Sequence, residues 1–141
     1  GRNPEYLIGQ QVKAIANFGR PELETIATGY LLIAGGVETA VERVSGTRPI
    51  PQTDHALILN TAIASELLGN KLIYLEAGSG ALEPVAEDII QKVSRSTTIP
   101  LIVGGGIRSV KQLKKAYAAG ADLVVIGTAI ERNSAFLKEL Q

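Results

Sequence analysis

Apolar positions along this chain change their period several times, and each change marks an element. Leu7, Ile8, Val12, Ile15 and Ala16 recur at the spacing of one helical face. Asn3 is placed to cap that helix, Pro4 to occupy its first position and Gly19 to close it, with Pro21 preventing continuation. The β-branched, aromatic and apolar run from Thr25 to Ala34 predicts a strand, which Gly35 and Gly36 break. Val37 to Val44 fits a short strand or a helical turn equally. Residues 45–53, with Pro49 and Pro51, read as a loop, and Thr53 or Asp54 caps a helix that reaches about Leu68 before Gly69 stops it.

From there the pattern is regular. Lys71 to Glu76, Pro100 to Val103 and Leu123 to Ile126 read as strands. Each ends in a glycine-rich loop: residues 77–81, 104–109 and 127–129. A helix follows each loop. Pro84 is expected to open the first of these, which runs to about Ser94, and Ser109 with Gln112 forms a capping box for the second, which ends at Gly120. The apolar run Leu123–Ile126 is expected to have both faces covered. The count is four strands and five helices, alternating as in a parallel sheet layered by helices.

That alternation predicts an α/β chain of parallel (β/α) units of the TIM-type (β/α)8 barrel. Such a barrel takes about 250 residues; this chain has 141 and starts with a helix. The expectation is therefore the C-terminal half of a barrel, with 1–141 as one domain. A small open parallel sheet, complete in itself, is the alternative. A half-barrel would expose two strand edges and an apolar lumen face, so self-association into a homo-oligomer is expected.

Composition narrows the classes. The chain carries 14 basic and 14 acidic residues, without the basic excess of a nucleic-acid binder. No apolar run is long enough for a membrane-spanning helix, and the N-terminus does not read as a signal peptide, so a cytoplasmic location is expected. There are no cysteines and a single histidine, His55, which excludes disulfides, thiolate metal sites and multi-histidine clusters. His55 reads as a solvated or capping residue beside Asp54.

The candidate chemistry sits at the ends of the strands, where active sites of barrel enzymes lie. In Lys71–Glu76, alternation puts Tyr74 and Glu76 on one face, expected to be the lumen, which makes the Glu76 carboxylate a candidate general base. Gly78, Ser79 and Gly80, then Gly104, Gly105 and Gly106, then Gly127 and Thr128 form three glycine-rich turns. Such turns let backbone N–H groups approach a phosphate without Cβ atoms in the way. The Ser79 and Thr128 hydroxyls could add donors. Tyr30, which shares a face with Thr28, either reaches the ligand or fills the lumen. Arg108 is expected in a structural ion pair, with phosphate support as the alternative. Asp122 opens the last strand at the opposite, stabilising end, and Asn3 is either a cap or a ligand contact.

The run Tyr74-Leu75-Glu76-Ala77-Gly78-Ser79-Gly80-Ala81 closely resembles the hallmark strand and loop of geranylgeranylglyceryl phosphate synthases and their bacterial heptaprenylglyceryl phosphate synthase relatives. Arg2 to Leu7, Thr28-Gly29-Tyr30, Gly104 to Ser109 and Gly120 to Thr128 look similar too, although the last two recur in many phosphate-binding barrels. Ala27 stands where the family usually has proline. The resemblance implies a prenyltransferase that joins sn-glycerol 1-phosphate to a prenyl diphosphate, giving an ether-lipid precursor. It implies Glu76 as the base, Tyr74 as an orienting group, and Gly78, Ser79, Gly80, Gly104, Gly105, Gly127 and Thr128 around the phosphate. It also implies Mg2+, held by acidic residues on early barrel strands with no counterpart here, so no metal ligand is assigned in this chain. Two other readings stand beside it: another phosphate-binding barrel isomerase or lyase, and a non-catalytic, self-associating half-barrel.

Overall fold

Four apolar runs become four parallel strands in a computed structural model that describes residues 2–19, 22, 24–133 and 136–138. They are β1 (Thr28–Leu32), β2 (Leu72–Glu76), β3 (Leu101–Gly104) and β4 (Leu123–Val125), side by side in chain order. The register is continuous: Tyr30 lies opposite Tyr74, Leu32 opposite Glu76, Glu76 opposite Gly104, and Gly104 opposite Val125. Strand period then sorts the side chains. Leu31, Ile73, Leu75, Leu101 and Val103 fall on one face and are buried in the core. Tyr30, Leu32, Tyr74, Glu76, Ile102 and Val125 fall on the other.

Among the described residues, a π-helical turn (Glu5–Gly9) runs into α1 (Gln10–Phe18), followed by α2 (Ala40–Ser45), α3 (His55–Leu67), α4 (Glu87–Ser96), α5 (Val110–Ala118) and α6 (Thr128–Arg132). Helices α3, α4 and α5 cover the core face through Ile58 and Ala62, through Ile89, Ile90 and Val93, and through Ala116. Gly29 makes the approach of α3 possible, since a Cβ there would stand 1.9 Å from Ser65 Oγ. Asp122 opens the β3–β4 ladder by accepting from the Leu101 amide at 2.8 Å, the stabilising place expected of it.

Several boundaries differ from the sequence reading. The first strand is Thr28–Leu32 rather than Thr25–Ala34, with Ile33 making one further bridge to Ile50. The ambiguous stretch is helical: the buried Thr39 caps α2, accepting from the Glu42 amide at 3.1 Å. That makes six helices where five were expected. The Pro84 expectation is wrong, because α4 begins at Glu87. Pro84 stays in the loop, where the Gln52 side chain holds it: Nε2 donates to Pro84 O at 3.1 Å and Oε1 accepts from the Ala86 amide at 2.8 Å. The expectation that both faces of the last strand are covered is also wrong. Leu123 is 51% and Val125 45% exposed, because only the face bearing Val124 packs on helices. Asp54 rather than Thr53 caps α3, accepting from the Leu57 amide at 3.0 Å. Asn3 is a cap, its Oδ1 accepting from the Glu5 amide at 3.0 Å, and its Nδ2 ties the segment to Ser45 O at 2.5 Å. Pro21 and the segment beyond residue 138 lie outside the described residues.

Candidate functional site

Each parallel strand stops where glycine starts, so the turns after β2, β3 and β4 gather at one end of the sheet. One cleft there is lined by Tyr74 and Glu76, by Gly78 to Ala81, by Gly105 to Arg108, and by Val125, Gly127 and Thr128. Of the candidate residues, eight line this cleft directly. The ninth, Gly104, lies beneath its carboxylate: a Cβ there would stand 2.5 Å from both Glu76 Oε2 and the Tyr74 hydroxyl.

Glu76 is fixed from two sides. Its Oε1 accepts the Gly78 amide at 2.7 Å, folding the turn back over the strand end. The Tyr74 hydroxyl donates toward the same carboxylate. Tyr30 packs edge-on against Tyr74, with ring centroids 5.3 Å apart, and so supports the ring from the neighbouring strand.

The turns carry unspent donors. Among the described residues, the backbone amides of Ser79, Gly80, Gly105 and Gly106 donate to no protein acceptor. In a closed site such groups need a partner. Positive φ at Gly78 (101°), Gly80 (77°), Gly105 (84°) and Gly106 (72°) is what turns them out of the strand direction. Thr128 begins α6 and lines the same cleft. The arrangement can hold an oxyanion group with a carboxylate beside it.

Four expectations resolve differently or in part. Arg108 forms no ion pair among the described residues; its Nη2 donates to Ala81 O at 2.6 Å and Gly80 O at 3.3 Å. Tyr30 lies outside the cleft and lines a separate, more apolar pocket with Leu32, Val41 and Ile50. His55 sits away from the site, its Nε2 3.4 Å from Asp88 Oδ2 on α4. Among the described residues no three acidic, histidine or cysteine side chains stand together as a cation nest. The magnesium implied by the resemblance therefore finds no ligand set among the described residues.

Sequence reasoning missed Gln52 and Gly35. Gln52 joins three loop positions, its Nε2 also donating to Ala34 O at 3.0 Å. The Gly35 carbonyl accepts from Leu82 at 2.8 Å and Glu83 at 3.2 Å, and its Cβ position lies 2.4 Å from Ala77 O. The Gly35-Gly36 pair was the available signal for this fourth glycine turn.

Burial first, and then the Glu76 carboxylate, push the Tyr30 phenol up to about 12. Burial, followed by the hydrogen bond to Glu76, raises that of Tyr74 as well. Unfolded tyrosines ionise near about 10. The unfolded chain thus gives up these protons first, and stability is full below pH ~10 and lost as pH climbs through the folded values. An ultraviolet titration is expected to show two of the four tyrosines ionising late, together with a falling denaturation midpoint.

The pattern that defines the PcrB family matches residues 1–141. A geranylgeranylglyceryl phosphate synthase from Zunongwangia profunda is 63% identical over 131 residues, covering 93% of this chain and 56% of the relative. One from Pyrococcus furiosus is 43% identical over 130 residues, covering 92% of this chain and 51% of the relative. A crystal structure of (S)-3-O-geranylgeranylglyceryl phosphate synthase from Thermoplasma acidophilum, in complex with its substrate sn-glycerol-1-phosphate, superimposes with a TM-score of 0.88 at 37% identity, over 99% of this chain and 56% of that one. The chain thus spans about half the length of the curated relatives it matches, and its strands are those of a TIM-barrel-type fold.

Proposed function

This chain belongs to the PcrB family, and we propose that it supplies the glycerol-phosphate site of a prenyltransferase joining sn-glycerol 1-phosphate to a prenyl diphosphate. The observation that carries this reading is the set of four unspent amides, at Ser79, Gly80, Gly105 and Gly106, around a cleft whose wall is the Glu76 carboxylate. The phosphate takes the amides of two turns and the hydroxyls of Ser79 and Thr128, with Gly78, Gly104 and Gly127 keeping the space clear. The glycerol carbon chain then extends toward Tyr74 and Glu76.

The acceptor hydroxyl is a poor nucleophile until its proton leaves. Glu76 accepts that proton as the oxygen bonds to the allylic carbon of the prenyl donor, and the leaving diphosphate carries away the bonding electron pair. Tyr74, whose phenol stays protonated near neutral pH, donates to Glu76 and keeps the carboxylate turned into the cleft. Prenyl transfer of this kind generally uses a metal to neutralise diphosphate; for this family we propose magnesium, bound outside the described residues of this chain. No helix among the described residues is long and apolar enough to cross a membrane, and a cytoplasmic setting fits the polar substrate.

Calorimetric titration with sn-glycerol 1-phosphate tests the reading. Binding is expected without magnesium, since the phosphate contacts are all protein groups. Ser79→Ala removes one hydroxyl donor to a charged acceptor, a loss of about 1.5–3 kcal/mol, or roughly tenfold to 150-fold in affinity. Preference for an unrelated phosphosugar would instead favour an isomerase or lyase.

The bare sheet face bears on assembly. Leu123 and Val125 are exposed on it, and β1 and β4 are the edge strands of the four-stranded sheet, β1 bridged there only by Ile50 among the described residues. The 141-residue chain is proposed to self-associate when alone, and light scattering at micromolar concentration should report a dimer or larger species; a stable monomer contradicts this.

A further inference from the structure

The turn that presents the Ser79 and Gly80 amides has few bonds of its own. Within it, the Ala81 amide donates to Gly78 O at 3.1 Å. Gly80 has φ +77°, and no atom lies within 4 Å of where its Cβ would be. A turn so lightly packed would sample several conformations, spreading its donors over more directions than a phosphate can use. Two side chains from outside the turn restrain it. Arg108, which follows the triple glycine of the next unit, reaches back and donates one Nη2 to both Ala81 O and Gly80 O. Its own backbone is held by Gln112, whose Oε1 accepts the Arg108 amide at 2.8 Å. On the far side, Gln52 fixes Pro84 and Ala86, beyond the residues that line the cleft.

We propose that Arg108 is a positioning residue for the phosphate site: by holding the carbonyls of Gly80 and Ala81 it fixes the C-terminal side of the turn and, through the bond from the Ala81 amide to Gly78 O, aims the Ser79 amide into the cleft, where the β3 turn supplies the other donors. This rests on the proposed function for the identity of the ligand, though not for the restraint itself. The argument is geometric. When a carbonyl is fixed, its peptide plane is fixed, and the amide on that plane turns with it. The Gly80 carbonyl shares its plane with the Ala81 amide, which donates to Gly78 O at 3.1 Å, and the Gly78 carbonyl shares its plane with the Ser79 amide; holding Gly80 O therefore orients the Ser79 amide through that bond and closes the C-terminal side of the turn. Glu76 closes its N-terminal side through the Gly78 amide. A single Nη2 carries both contacts, and the planar, pre-organised guanidinium holds that nitrogen between the two carbonyls more rigidly than a lysine ammonium on its flexible stem. Lysine at 108 would keep the charge beside the cleft and lose the paired hold.

The test reads the turn and the ligand separately in the full chain. In Arg108→Lys and Arg108→Ala, hydrogen exchange of the Ala81 amide is expected to quicken by roughly tenfold or more, with no ligand present. Gln52→Ala is expected to quicken the Ala86 amide, which donates to it, and to leave Ala81 unchanged. Affinity for inorganic phosphate and for glycerol 1-phosphate is expected to fall by about tenfold in both Arg108 variants, raising KM with little change in kcat. Arg108→Lys binding phosphate as tightly as the unmodified protein would show that charge alone matters and would overturn the proposal. Unaltered Ala81 exchange in Arg108→Lys would overturn it too, even if Arg108→Ala failed to fold. Unmodified protein that held inorganic phosphate but ignored glycerol 1-phosphate would sink the proposed function instead, with Arg108 still judged by exchange and phosphate affinity.

Discussion

Glu76→Gln is expected to slow prenyl transfer by roughly 10²–10⁴-fold, the usual contribution of a general base, while affinity for glycerol 1-phosphate stays close to that of the unmodified protein. The two carboxylate oxygens have separate work. Oε1 accepts the Gly78 amide, and a glutamine Oε1 accepts it as well, so the turn keeps its shape. The other oxygen, beside the Tyr74 hydroxyl, becomes an amide nitrogen that cannot take a proton. The loss therefore belongs in kcat and in kcat/KM equally. Glu76→Ala removes the acceptor too, and the Gly78 amide is left without its charged partner, which costs about 1.5–3 kcal/mol and weakens phosphate binding along with turnover. Steady-state kinetics beside calorimetry separates the two variants. Equal activity for Glu76→Gln and the unmodified protein would remove Glu76 from the chemistry.

Gly105→Ala is expected to be severely damaging to the site. Gly105 has φ +84°, and its Cβ would stand 2.6 Å from the Gly78 amide nitrogen and 2.8 Å from Glu76 Oε1. The left-handed backbone costs an L-residue about 1–2 kcal/mol, and forcing atoms into a packed site about 1–3 kcal/mol more. Together these take a large share of a total stability of about 5–15 kcal/mol. The clash also separates Gly78 from Glu76, so the surviving folded protein should bind phosphate poorly. Gly80→Ala is the control. It has similar backbone strain at φ +77° and nothing within 4 Å of its Cβ position, so only the conformational cost applies. Denaturation midpoints of the two variants, measured side by side, check the difference.

What the sequence reveals and what it hides follow from the range of each interaction. Strand parity is a local property, and it was enough to place Tyr74 and Glu76 on the face that forms the cleft. Glycine at each strand end is local as well, which makes the three turns legible in the sequence. Pro84 was misleading because its fixed φ suits an extended stretch as well as a first helical turn. The choice is made by Gln52, 32 residues away, and no local pattern contains it. Val37 to Val44 is settled by the cap at Thr39, since so few residues cannot display a period. Leu123 to Val125 reads the same whether one or both faces are covered, and only the placement of helices decides it. Arg108 next to a glycine turn suggested an ion pair or a phosphate contact; its actual partners are carbonyls, which carry no residue-type signal at all.

Convergence of the separate turns on one anion is the central claim, and amide chemical shifts report it directly. Titrating isotope-labelled protein with glycerol 1-phosphate is predicted to move the amide signals of Ser79, Gly80, Gly105, Gly106 and Thr128 together, all described by one dissociation constant. Shifts confined to a single turn, or turns that respond with different constants, would contradict it.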